Sequence, residues 1–417
     1  MNDRPLMNVG AEGGASAPTA EQTARSVPAG AENGRLSNAE PEGPDAASAY
    51  EPFFRPFTIE RGGLTLRNRL AMAPMTRRLA PDDRVPTEAM AAYYGRRAEG
   101  GVGLIVTEGT HIDDEGAPDS ENVPGMFTDD QAEGWRAVTG AVHEAGGAIA
   151  CQLWHTGRLA MRPIGPSAIP AEKRGGGFRA TPRRMTVRDI ETIAERFAES
   201  ARLAKQAGFD SVEIHGAHGY LLDSFLSPLA NKRTDHFGGG FNQRMRFPIM
   251  VCEAVRDAVG DDYPVMYRFS QWSIDDYAAM TYPNPEVLGM WVEALRAATM
   301  DVLHVSTRDC TAPGFRGSEK TLAGWTRELS GLPTIAVGRV GSSSGMNEGD
   351  FVPISDPAPA AALIERGEAD MVAVGRGLLA NPDWAHLVRD GRWGELRPYD
   401  RAMLASLSDE PVKTSGA

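Results

Sequence analysis

The chain has 417 residues, 41% of them hydrophobic and 24% charged, which suits one large α/β domain or two ordinary ones with a sizeable core. A net charge of −13 argues against nucleic acid as a partner, and nowhere do about 18 apolar residues run together as a membrane helix requires. Three cysteines (Cys151, Cys252 and Cys310), an odd number without paired spacing, argue against a disulfide framework and a thiolate zinc site. A soluble, cytoplasmic protein is the resulting expectation, with no metal.

Residues 1–48 differ in kind from the rest. They are rich in Ala, Gly, Glu, Ser and Pro and show neither helical nor strand periodicity, so a disordered N-terminal tail is expected there. The basic start and apolar stretch of a signal peptide are missing. Residues 49–417 read as the folded part. In chain order, β-branched runs that predict strands lie near Leu70–Pro74, Gly103–Val106, Ala148–Leu153 and Ser211–Ile214. Four more lie near Val265–Phe269, Val302–Val305, Thr334–Val337 and Met371–Val374. Helical patterns separate them. Thr186 with Asp189 forms a capping box that opens a helix over Val187–Ala207, and Gly208 closes it; a second helix, Met245–Val259, ends at Gly260. Eight strands with intervening helices predict a (β/α)8 TIM barrel. A doubly wound sheet is the alternative. Its glycine-rich turn would follow the first strand, where Ala73–Arg77 stands instead.

In a barrel, chemistry belongs at the C-terminal strand ends. Those ends carry Pro74-Met75-Thr76, Glu108-Gly109, Gln152, His215 with His218, and Arg268. The last two strands end in Gly338-Arg339 and Gly375-Arg376-Gly377, whose exposed backbone N–H groups suit a phosphate. The set describes a pocket for a flat, hydrogen-bonding heterocycle with a phosphate tail, and FMN fits that description. The richest stretch is Val212–Tyr220. His215, His218 and Tyr220 crowd together there among Gly216, Ala217 and Gly219. Two imidazoles three residues apart can both donate to one oxygen, and a phenol two residues on can deliver a proton. Two satisfied surface histidines would share this spacing; their place among the other strand-end residues is what favours chemistry.

Taken together, the folded part resembles the Old Yellow Enzyme family of FMN-dependent oxidoreductases. The resemblance rests on Asn68-Arg69, Met75-Thr76, Thr107-Glu108-Gly109 and Gln152-Leu153-Trp154. It continues through the block His215–Phe247, with Ser227-Pro228, Arg233-Thr234-Asp235 and Gly238-Gly239, to Gly375-Arg376 and Asn381-Pro382. It implies FMN lying across the strand ends, with Pro74, Met75, Thr76 and the Gly109 backbone near the ring. It further implies Gln152 on the pyrimidine side, Arg268 by N1/O2, and Gly338, Arg339, Gly375 and Arg376 on the phosphate. His215 and His218 should bind the substrate's carbonyl oxygen, and Tyr220 should donate the proton; read from position alone, Trp272 and Tyr277 after the fifth strand either line the substrate site or pack the loop. The implied enzyme uses NAD(P)H to reduce the activated C=C bond of a small α,β-unsaturated carbonyl compound; the alternative is the same fold working oxidatively or as an isomerase on a biosynthetic intermediate. Gly240-Phe241-Asn242-Gln243-Arg244 departs from the family's usual Ser-x-Glu-Asn-Arg turn, and Ala402 to Leu407 supplies no aromatic wall. The basic segment Arg162–Arg184, with six Lys or Arg, reads as a solvated loop or, more sharply, as a lid that attracts nicotinamide phosphates. Cys310 reads as an ordinary loop cysteine. Family members differ in oligomeric state, so a homo-oligomer is left open.

Overall fold

The computed structural model describes residues 48–173, 176–343 and 351–409, so the tail expected over 1–48 falls, but for its last residue, outside the described residues. Eight parallel strands close on themselves. They are β1 (Leu70–Met72), β2 (Leu104–Val106), β3 (Ala148–Trp154), β4 (Ser211–His215), β5 (Val265–Ser270), β6 (Val302–Ser306), β7 (Thr334–Val337) and β8 (Met371–Val374). Each pairs with the next, for example Ala71 with Leu104 and Arg268 with His304, and Val372 pairs with Leu70 to shut the ring. The (β/α)8 barrel is therefore the architecture, and the doubly wound alternative is excluded by closure.

The pleat decides which residues face inward, because side chains alternate along a strand. Ala71, Leu104, Ala150, Met266, Val302, Ile335, Met371 and Ala373 fill the barrel, small residues alternating with larger ones as its narrow interior requires. Ile59 and Leu66, from a hairpin of Phe57–Ile59 and Leu64–Leu66, close the N-terminal end of the same cluster. The same alternation carried upward reaches Gln152, Glu213, Arg268 and His304, all buried. The interior thus turns from apolar to hydrogen-bonded towards the C-terminal mouth, and that change of character positions the site.

Helices α1 (Glu88–Glu99), α2 (Asp129–Glu144), α3 (Val187–Gln206), α4 (Phe241–Val259), α5 (Pro285–Ala297), α6 (Leu322–Ser330) and α7 (Ala358–Glu365) surround the sheet. The predicted capping box of α3 is present, with Thr186 Oγ1 accepting from the Asp189 N–H and the Asp189 carboxylate accepting from the Thr186 N–H. Helix α4 starts four residues earlier than predicted, because Gly240 serves as its N-cap without any side-chain bond to announce it. Near the mouth, Phe351–Val352 pairs antiparallel with Tyr399–Asp400, which brings the C-terminal segment back over the barrel. Among the described residues no helix is long and apolar enough to cross a membrane.

Candidate functional site

Strand β4 ends at His215, and the chain then turns through Gly216–Gly219 into a short helix, Leu221–Leu226, with Tyr220 at its N-cap. Two features fix the turn. Gly219 and His218 take left-handed backbone angles, φ 81° and 64°, and the Asp223 carboxylate accepts the Gly219 N–H at 2.6 Å. The His218 N–H donates to Ser270 Oγ at 2.8 Å. Three rings therefore converge: His215 lies 5.2 Å from both His218 and Tyr220 between centroids. Indoles hold them from outside. Trp272 stacks on His218 at 4.2 Å, and Trp154 lies parallel to His215 and edge-on to Tyr220.

Protonation follows from the surroundings. Burial, reinforced by the Arg268 charge, holds His215 and His218 well below the ordinary histidine range, so both are neutral with one N–H each. His215 Nδ1 accepts the Ala217 N–H at 3.3 Å, which leaves its proton on Nε2. Burial raises the Tyr220 phenol, so it keeps its proton through neutral pH.

Beneath the rings lies the polar layer. Gln152 Nε2 donates to Glu213 at 2.7 Å, and His304 Nδ1 lies 2.5 Å from the other Glu213 oxygen. Burial pushes the Glu213 carboxyl up, but His304 and Arg268 outweigh it and hold it below its usual value, so the carboxylate balances the Arg268 guanidinium. Arg268 Nη2 donates to Ser306 Oγ at 3.2 Å, and the same hydroxyl lies 2.8 Å from His218 Nε2. Among the described residues the buried Arg268 Nε has no hydrogen-bond partner.

The three rings, Trp154, Trp272, Gln152, Arg268 and Ser306 line one cavity of about 740 Å3 at the C-terminal end of the barrel, with Glu213 and His304 buried behind them. Pro74, Met75, Thr76, Gln152, His215, His218, Tyr220, Arg268 and Trp272 occupy one part; Gly338, Arg339, Gly375 and Arg376 occupy the ends of β7 and β8. A Cβ at Gly338 (φ 151°) would fall 2.6 Å from the Thr307 carbonyl oxygen, so glycine keeps that strand end open. The residues fit FMN on two observations. Among the described residues Arg268 Nε, a buried donor, lacks an acceptor and the Gln152 carbonyl oxygen is uncommitted, both lining the same cavity, and two arginines stand at its glycine-lined end.

Gly109 departs from expectation. It does not line the cavity; the Trp154 indole covers it so closely that a Cβ there would overlap the ring. Its smallness seats Trp154, which in turn backs His215 and Tyr220. Sequence reasoning also missed Ser306, Thr307 and Arg308, all lining residues. They sit at the end of β6, the one strand whose end was not read for polar groups. Tyr399, Arg401 and Leu404 line the cavity as well, with the Arg376 guanidinium 5.9 Å from the Tyr399 ring centroid. In the basic segment, Arg183 is bound to Asp189 at 2.7 Å and Arg184 lies 3.6 Å from Asp235, so both serve local ion pairs at the start of α3 and the α4 approach. Cys310 is buried and its thiol is pushed up to about 12 by burial, which makes it unreactive.

Comparison with known proteins places this geometry. Residues 52–395 match the model of the NADH:flavin oxidoreductase / NADH oxidase family. The chain is 34% identical over 354 residues to an NADH oxidase of Thermoanaerobacter brockii, covering 81% of this chain but only 50% of that one. It is 36% identical over 356 residues to 12-oxophytodienoate reductase 7 of Oryza sativa subsp. japonica, covering 80% and 86%. The structure of morphinone reductase in complex with tetrahydroNAD superposes with a TM-score of 0.70 at 32% identity, covering 84% of this chain and 93% of that one.

Proposed function

Because the chain belongs to the NADH:flavin oxidoreductase / NADH oxidase family, the Old Yellow Enzymes, and is an FMN-dependent oxidoreductase served by a nicotinamide nucleotide, we propose that it reduces the activated C=C bond of α,β-unsaturated carbonyl compounds. One observation carries the reading: two neutral histidines and a protonated tyrosine converge on one cavity beside a buried arginine. The relatives named for oxophytodienoate and morphinone substrates support it.

The chemistry FMN supplies when bound is two-electron hydride transfer, from the nicotinamide and on to the carbon β to the carbonyl. Pro74, Met75, Thr76, Gln152 and Arg268 would hold its ring system, with Gly338, Arg339, Gly375 and Arg376 at its phosphate. The Arg268 charge, balanced by Glu213, would favour negative charge on a ring system held beside it. His215 and His218 bind the carbonyl oxygen through their single N–H groups and draw electron density onto it. That makes the β carbon electrophilic and stabilises the enolate oxygen as it forms, by about 2.7–4 kcal/mol per donor on the scale of an oxyanion-hole contact. Tyr220 holds a proton and delivers it to the α carbon. Hydride and proton together add H2 across the double bond, while NAD(P)H is oxidised. Trp154 and Trp272 fix the rings and exclude water from them.

The test is an anaerobic visible spectrum of the purified protein with NADPH or NADH and then 2-cyclohexenone. Flavin bands that bleach with a nicotinamide and return with the enone are expected. Flavin that stays reduced would overturn the enone reading, and a protein that takes up no FMN would overturn the site assignment as well.

A further inference from the structure

We infer that Ser306 is a positioning residue that fixes which nitrogen of His218 carries the proton, and hence which atom of that ring meets the substrate's carbonyl. The inference deepens the ene-reductase reading and rests on it for its consequence, though not for its geometry. Ser306 ends β6 and is buried beneath His218. Its hydroxyl has one proton to give. Arg268 Nη2, 3.2 Å away, can only donate, so Ser306 Oγ accepts there. The hydroxyl proton then has a single acceptor among the described residues, His218 Nε2 at 2.8 Å. A neutral imidazole with Nε2 accepting carries its proton on Nδ1. The opposite tautomer would direct two donors at Ser306 Oγ and leave its hydroxyl proton without an acceptor among the described residues, which disfavours it by roughly tenfold.

The surroundings keep the ring from escaping this arrangement. Trp272 stacks on it at 4.2 Å, and Ser270 Oγ, which holds the His218 N–H, is itself fixed by donating to the Trp272 carbonyl oxygen at 2.6 Å. His215 is set the other way, with Nδ1 accepting from Ala217. The two histidines therefore offer opposite nitrogens, His215 Nε2–H and His218 Nδ1–H, and the order that fixes the second runs from Arg268 through Ser306. The residue that compensates charge at the flavin edge thereby also orients a donor to the substrate.

The experiment is two-bond 1H–15N correlation of the holoenzyme labelled at histidine, with the His218 signals identified by their absence from His218→Asn. The wild-type enzyme is expected to show the Nδ1–H pattern at His218. Ser306→Ala is expected to convert it to the other tautomer or a mixture and to lower kcat/KM for 2-cyclohexenone by roughly tenfold, while Ser306→Thr, which keeps the hydroxyl, retains the wild-type pattern. An Nε2–H pattern in the wild-type enzyme, or a pattern unchanged in Ser306→Ala, overturns the inference, and the wild-type spectrum decides even if the variant does not fold. An enzyme with the Nδ1–H pattern that reduces no enone upholds the tautomer assignment and overturns the ene-reductase reading instead.

Discussion

Tyr220 touches Trp154 and His215 and holds its proton because burial makes the phenolate costly. Tyr220→Phe should therefore slow enone reduction by about 10²–10⁴-fold, the usual worth of a positioned acid. The rate at which NADPH bleaches the flavin should be unchanged, and stopped-flow measurement of the two half-reactions separates them. Gly109→Ala should displace the Trp154 indole and with it the backing of both His215 and Tyr220; lower enone turnover with a shifted tryptophan emission is the expected signature. The His215, His218 and Tyr220 cluster was legible in the sequence because all its members lie within six residues at one strand end. Gln152, Arg268 and the two Gly-Arg pairs were legible by the same rule. At Gly109 the sequence shows only that something approaches the glycine, and in the fold that is the indole of Trp154 from the next strand. Ser306 carried no signal by type, since a serine after a strand is common; only its position at the end of β6 marked it.

Helix α3 carries the clearest local signal in the chain, and its capping box is formed on both sides. Thr186→Ala should lower stability by about 0.5–2 kcal/mol, read as a fall in thermal midpoint with flavin binding retained. Arg183 bonds the same Asp189 and, with burial working against it, helps hold that carboxyl down at about 2. Arg183→Ala and Arg184→Ala together should thus perturb the start of α3 and leave KM for NADPH unchanged; a rise in that KM would restore the lid reading. The strands were readable to within a residue or two, since each is a short β-branched run between turn residues. What escaped are short pairings: the hairpin Phe57–Ile59 with Leu64–Leu66, Thr110–His111 beside β3, and the two-residue pairings of Ile164–Gly165 with Arg183–Arg184 and of Phe351–Val352 with Tyr399–Asp400. Runs this short show no period, and most of their partners are distant in sequence.

Across the whole molecule, burial sets the response to pH. His111, His155, His215, His218 and His304 are all held below the ordinary histidine value chiefly by burial. Each protonates near pH 6.5 in the unfolded chain and only at lower pH in the folded one, so stability falls as pH drops below that value. Glu108 and Asp223 oppose them. Burial raises both carboxyls to about 7, so the folded state keeps protons that the unfolded state has lost above their ordinary values of 4.5 and 3.8, and their contribution declines as pH rises to 7. Five groups outweigh two, and the urea midpoint should rise from pH 5 to pH 7. Glu108→Gln removes one opposing contribution, so its penalty relative to wild type should be larger at pH 5 than at pH 8; a penalty that grows with pH would refute the assignment. The barrel was legible as a whole because eight alternations of strand and helix leave few other closures. The polar layer inside it was only partly so, for Glu213 and His304 sit at positions whose parity is visible but whose mutual bond is not.

The left-handed backbone at His218 restricts the alphabet at that position before any substrate is considered. A side chain there must tolerate φ 64°, which glycine does freely and asparagine, aspartate and histidine do with relative ease; other residues do so at a cost, as Thr299 and Arg339 do elsewhere in this chain at φ 60° and 56°. Of those four, only histidine and asparagine bring a neutral N–H that can reach an oxygen. Variation at this site is therefore biased towards two amino acids by the fold itself, and a library that randomises residue 218 should return them most often among active clones.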